Sequence, residues 1–143
     1  VGLGYGKANQ VPNAIEKAQK KAKREMREFP LTGTTIPHEV TGRFGACSVR
    51  LVPASPGTGV IAGAAVRAVL DLVGVQDCLS KAYGSTNNKN LTKAVIDGLR
   101  QLRSRETVQS LRKVEIEKTH TEQSHEVAPS VVEEVVSSEE ATV

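Results

Sequence analysis

Two periodicities divide the chain: apolar residues recur every three to four positions in some stretches and alternate in others. From Pro12 to Glu28 the helical period holds. Val11, Ala14, Ile15, Ala18, Ala22 and Met26 share one arc, which predicts a helix with proline in its first turn. Thr34 to Val40 reads as a strand, with Pro37 marking an edge position. Gly42 to Gly45 reads as a turn and Ala46 to Val52 as a second strand, so the pair predicts a hairpin. Val60 to Val73 is a helical stretch interrupted only by Arg67 and Asp71, and such a helix should be largely buried. Gly74 is its natural stop. Val75 to Ala82 predicts a third strand. Asn90 can cap a last helix whose stripe is Leu91, Ala94, Val95, Leu99 and Leu102. The order β-β-α-β-α predicts an α+β domain, two layers with helices laid on one sheet.

The first six residues alternate differently. Val1, Leu3 and Tyr5 would face one side of a strand, and Gly2, Gly4 and Gly6 the other. Glycine weakens a strand unless something approaches its backbone closely, and here a packed helix or an RNA backbone would do so. The chain does not begin with Met and opens inside this strand, so an upstream segment is expected. Phe29 to Gly33 breaks the first helix and marks a boundary. Glu106 to Lys118 is charged and reads as a frayed helix. Thr119 to Val143 is Ser, Thr, Glu and Val without periodicity, which predicts disorder. Three regions follow: 1–32, 33–111, and an acidic tail over 112–143.

Charge changes the picture most. All 19 Lys and Arg lie in residues 1–118, against ten acids, a net of +9. From Thr119 onward there are six Glu and no Lys or Arg, a net of −6. A body this basic favours a polyanionic partner. On the first helix Lys17, Lys20, Lys21, Lys23, Arg24 and Arg27 fall opposite the apolar arc, with only Glu16 and Glu28 counted among them. A merely solvated face mixes signs; a stripe aimed at phosphates does not need to.

Composition excludes several classes. Apolar residues are 38 % and aromatics 3 %, so the core is built from Val, Ile, Leu and Ala. Cys47 and Cys78, 31 positions apart, fit no metal-ligand spacing and read as reduced core thiols. No apolar run approaches the ~20 residues a membrane span needs. No catalytic set emerges: His38 is a lone strand residue, His120 and His125 lie in the acidic tail, and Asp71, Asp77 and Asp97 are scattered. The loop Pro53 to Gly59, followed by Gly63, sits between a strand and a helix. It is neither a Walker A sequence nor a dinucleotide fingerprint. Two readings stay open for it, a tight turn or a phosphate contact through helix N-terminal amides.

Three stretches carry a resemblance. Val49 to Leu70, containing Pro-Ala-Ser-Pro-Gly-Thr-Gly at 53–59, closely resembles the C-terminal domain of the small-subunit ribosomal protein five family, as do Leu79 to Asn87 and Ala94 to Leu99. Val1 to Ala8 and the basic helix resemble the end of that family's N-terminal domain, itself similar to a double-stranded-RNA-binding domain. The match runs in order from Val1 to about Leu111.

The resemblance implies a fold, the end of a double-stranded-RNA-binding-like domain followed by a two-layer α+β domain. It implies a structural constituent of the small ribosomal subunit, binding small-subunit rRNA beside proteins four and eight. With protein three near the mRNA entry, the family supports decoding accuracy. It implies a ribosomal location, cytoplasmic or organellar, with no cofactor, no metal, no small-molecule substrate and no membrane. Carried over, Lys7, Lys17, Lys20, Lys21, Lys23, Arg24 and Lys81 are the expected RNA-binding residues. Arg43 and Arg50 are expected at a protein interface, where the family meets protein four. Three departures stand out: the first strands of the N-terminal domain are absent, Ala64 replaces a frequent glycine, and the acidic tail is atypical. Two other classes compete. A small-molecule phosphotransferase of related fold needs an acidic base beside Pro53–Gly59, and the sequence offers no evident one. A free RNA-binding module needs a complete N-terminal domain.

Overall fold

The computed structural model describes residues 1–113. In chain order the elements are α1 (Val11–Arg24), β1 (Val40–Phe44), β2 (Cys47–Pro53), β3 (Val60–Ile61), α2 (Ala64–Val73), β4 (Cys78–Gly84), α3 (Asn88–Gln101) and α4 (Arg105–Arg112). The sheet order is β1-β2-β4-β3; the first three strands pair antiparallel, and β3 runs parallel to β4. The α+β class with helices on one sheet holds, with a short extra strand before α2; the helix expected from Glu106 appears as α4, which ends at Arg112.

The core forms where inward strand residues meet α2 and α3. Cys47, Val49 and Leu51 of β2 alternate with more exposed neighbours and pack with Val66, Val69 and Leu70 of α2. Leu91, Ala94, Val95, Leu99 and Leu102 are all buried, joined by Ile96. Both cysteines are free and buried. Burial pushes the Cys78 thiol up to about 11, and the Cys47 thiol donates to the Ser85 carbonyl at 2.8 Å.

Several boundaries differ from the sequence expectation, each for a tertiary reason. Thr34 to Val40 is no strand; Thr32 and Thr35 close a small bridge, and pairing begins only at Val40. The hydroxyls of Thr34 and Thr35 bond to Asp77, more than 40 residues away. Gly42 is not a turn residue but lies inside β1. A Cβ there would overlap the Ala94 carbonyl and the Gly98 amide of α3, so glycine lets the helix sit on the strand. The turn is Gly45–Ala46, with Gly45 at φ +57° and Phe44 facing Cys47 across it. Val60 and Ile61 leave the helical stretch to pair with Cys78 and Leu79, and α2 starts at Ala64. The Arg67 guanidinium donates to the Val60 carbonyl at 2.9 Å and ties the two together.

α2 is also less buried than its composition suggests: Leu72 is 75 % exposed. Its stop is as expected, Gly74 at φ 95° with its amide bonding to Leu70 and Asp71 carbonyls. Val75 to Asp77 precede β4 rather than belong to it; the Gln76 and Asp77 amides donate to the Thr34 carbonyl. The cap of α3 is Asn87, whose side chain accepts from the Lys89 amide at 3.1 Å; Asn90 lies inside the helix. α1 ends at Arg24, one turn short of the expected Glu28. The expected disordered tail lies outside the described residues from position 114 onward.

Val1–Gly6 has no strand partner among the described residues. Its end is pinned to the chain after α1, where Val1 and Arg27 exchange hydrogen bonds through their main-chain groups. Of its two candidate partners, a helix fills the role. A Cβ at Gly2, Gly4 or Gly6 would overlap the carbonyl of Ala22, Ala18 or Ala14, so α1 lies directly on the glycine face. Only those three alanines of the expected apolar arc are half-covered; Val11, Ile15 and Met26 stay exposed.

Candidate nucleic-acid interface

α1 holds Lys17, Lys20, Lys21, Lys23 and Arg24, all exposed. Two of these five make ion pairs along the helix: Lys20 with Glu16 at 2.7 Å and Lys21 with Glu25 at 3.9 Å. The Lys20 ammonium hydrogen-bonds the Glu16 carboxylate and lowers its pKa. Exposed pairs of this kind hold their partners weakly. Among the described residues no carboxylate pairs with Lys17, Lys23 or Arg24. The arrangement can neutralise phosphates along a line, which gives affinity and position without reading sequence.

The expected RNA-binding residues do not form one patch. Lys7, Lys17 and Lys20 line a shallow groove at the start of α1 with Asn9, Gln10 and Asn13. Lys21 lines a different cleft, of about 520 Å³, between the first residues and α3. Its apolar lining is Val1, Leu3, Tyr5, Phe29, Phe44 and Ile96; Arg27, Lys89, Lys93 and Arg100 add positive charge, and Glu25 and Asp97 oppose it. Lys89 stands 3.7 Å from the Tyr5 ring centroid and Lys93 4.4 Å from that of Phe44. Sequence reasoning missed Lys89, Lys93 and Arg100. Their spacing of four and then seven is a helical cation stripe, and that signal could have found them.

Lys81 sits elsewhere again. In the sheet register Lys81 faces Arg50, which faces Thr41, while Tyr83 faces Ser48, which faces Arg43. Cys47, Val49 and Leu51 point into the core, so Arg50 and Ser48 point to the uncovered face, and their register partners with them. The structure thus joins Lys81 to the two arginines expected at a protein interface, not to the cations of α1. Arg50 is held by Glu39 in a two-point pair, its Nη2 to Oε2 at 2.9 Å. That hydrogen bond lowers the Glu39 pKa and raises that of Arg50. Arg43 contributes its main-chain amide to Asp97 at 3.1 Å, and its side chain is exposed.

The glycine loop resolves to a turn. Gly57 and Gly59 adopt φ +85° and +76°. The Gly59 amide donates to Asp77 Oδ1 at 2.9 Å, and Thr34 Oγ1 donates to Asp77 Oδ2 at 2.7 Å. The Gly59 amide is thus committed to a buried carboxylate of its own chain. Both Asp77 oxygens hold this loop in place. Among the described residues no cluster of three or more His, Cys, Asp and Glu can hold a metal ion, and no helix is long and apolar enough to cross a membrane.

Comparison with known proteins decides among the remaining classes. The family described as Ribosomal protein S5, C-terminal domain, matches residues 42–112, and Ribosomal protein S5, N-terminal domain, matches residues 1–30. The chain is 56 % identical over 116 residues to small ribosomal subunit protein uS5 of Syntrophobacter fumaroxidans, covering 81 % of this chain and 70 % of that one. It belongs to the ribosomal protein S5 family. The uS5 proteins of Rubrobacter xylanophilus and Thermus thermophilus are each 54 % identical, over 81 % and 80 % of this chain and 58 % and 71 % of theirs. Across these uS5 relatives the chain spans between 58 % and 71 % of their length. As an S5 protein it is a ribosomal protein and not an enzyme. Everything after Arg112 falls outside both matched domains.

Proposed function

We propose that this chain is a structural constituent of the small ribosomal subunit and binds its rRNA through the cations of α1. The observation that carries this reading is the run of five exposed cations in α1, only two of them in ion pairs, in a chain of the S5 family. Lys7, Lys17 and Lys20 contact one stretch of phosphates, while Lys21 turns toward α3 and serves a second. Residues 1–32 belong to an RNA-binding-like domain; the exposed Ile15 and Met26 on the apolar arc of α1 support further chain packing there. Residues 33–111 form a domain that contacts neighbouring proteins through the open sheet face. That face, with Arg43, Arg50, Lys81 and Tyr83, suits proteins: a two-point arginine pair, an exposed tyrosine and apolar Leu79 side by side. Proteins four and eight of the subunit are the expected neighbours, with protein three near the mRNA entry. The location is the ribosome of the cytoplasm or of an organelle, and decoding accuracy is the process served.

The test is binding of the full-length protein to small-subunit rRNA across salt concentrations, with and without Lys20→Glu, Lys21→Glu and Arg24→Glu. Each phosphate that a substitution leaves without its cation should flatten the log–log salt slope by about 0.7–0.9. An unchanged slope would remove α1 from the RNA interface. Loss of co-sedimentation with the small subunit in Arg50→Glu, with rRNA binding retained, would support the protein-facing assignment of the sheet.

A further inference from the structure

The Glu-rich stretch from Thr119 to Val143 belongs to neither matched S5 domain, and the alignments to uS5 relatives leave about a fifth of this chain uncovered. Nothing in the S5 match accounts for its six Glu without a single Lys or Arg. The structure supplies the complementary surface. Residues 17–24 carry five cations in eight positions, the densest run in the described chain. Within that run Lys20 and Lys21 make only exposed ion pairs with Glu16 and Glu25, whereas Arg50 is held by Glu39 in a two-point pair, and Lys89 and Lys93 cover aromatic rings.

We propose that residues 119–143 occupy the cationic face of α1 when RNA is absent and compete with RNA for it. This rests on α1 being an RNA-binding surface. A tether from Lys113 to Glu122 spans up to about 30 Å, and the later Glu lie further along, enough to reach across a domain of this size. Attachment to the same chain gives the segment an effective concentration near millimolar, so weak ion pairing suffices for occupancy. A polyphosphate backbone has a denser line of charge than six spaced carboxylates and displaces it. The segment therefore suppresses weak, scattered contacts with non-cognate RNA more than it suppresses a site that engages the whole interface. Competition of this origin fades with salt, because the pairs that hold the segment are exposed and screened.

The experiment compares three forms of the full-length protein: unaltered, lacking residues 119–143, and with Glu122, Glu126, Glu133, Glu134, Glu139 and Glu140 all replaced by Gln. The probe is a single-stranded oligouridylate of ~20 nucleotides. At about 50 mM salt both altered forms should bind about 3- to 10-fold more tightly, and the three curves should converge above about 200 mM. Equal affinities at low salt would overturn the inference. Tighter binding by the truncated form alone would also overturn it, because bulk and not charge would then be responsible. Absence of binding by every form would count against the RNA-binding reading of α1 instead. In that event the amide resonances of residues 16–25 in the RNA-free protein still decide: shifts between unaltered and Gln forms support the contact, and coincident spectra exclude it.

Discussion

Asp77 Oδ1 accepts a 2.9 Å hydrogen bond from the Gly59 amide, across 18 residues of chain. With Thr34 Oγ1 on its other oxygen, this buried carboxylate joins the loop before β1, the glycine loop and the start of β4. Removing it leaves two donors without their acceptor. Asp77→Ala should therefore destabilise the protein by about 2–4 kcal/mol, measured by urea unfolding. A loss below about 1 kcal/mol would show that water replaces the carboxylate readily.

Two glycines three positions apart should respond differently. Gly42→Ala forces a methyl into the Ala94 carbonyl and should cost about 1–3 kcal/mol or more, because α3 must move off β1. Gly45 has open space around its Cβ position, so Gly45→Ala meets only the φ +57° penalty of about 1–2 kcal/mol. Gly45→Asn should recover most of that, since Asn tolerates the left-handed region. Thermal unfolding of the three variants checks the order.

The Glu39–Arg50 pair has a definite pH signature. The Arg50 hydrogen bond lowers the Glu39 pKa from its ordinary 4.5, so the pair's contribution is complete above that value. It is lost as pH falls through the lowered pKa. A carboxyl NMR titration should place the Glu39 midpoint below 4.5, and Arg50→Ala should return it toward that value. A midpoint unmoved by the substitution would mean the pair is not formed in solution.

Cys78 should resist thiol reagents. With its pKa raised from 9.0 to about 11 by burial, the folded thiol stays protonated at pH 8. Labelling by an alkylating reagent should wait for unfolding. The same shift makes stability fall between pH 9 and about 11, because the unfolded thiol ionises first. Cys78→Ala should remove that part of the alkaline loss. Rapid labelling of native protein would contradict the burial.

What the sequence made legible is what one face of one element decides. The Leu91–Leu102 stripe marked α3 because each of its residues meets the same core. Gly74 marked a helix end because its φ is a local need. What stayed hidden depends on remote partners. Thr34 and Thr35 look strand-forming, yet their hydroxyls are committed to Asp77. Gly42 looks like a turn until α3 lies across it. Val60 and Ile61 extend a helical run in sequence and become a strand only because β4 lies alongside. The charged face of α1 was readable from spacing alone. That Lys81 stands across from Arg50, and Lys89 over Tyr5, required strand register and the meeting of distant segments.

The seating of α1 on Gly2, Gly4 and Gly6 has a mechanical consequence. Two residues of extended chain advance about 6.6 Å and four residues of helix about 6.0 Å. The two ladders therefore match as a vernier over three rungs, drifting by about 1.2 Å from first to last. A slip of one residue would drive Leu3 or Tyr5 into the helix, so the seat resists small slides of the helix. The compass direction of the five cations is indexed by three absent side chains.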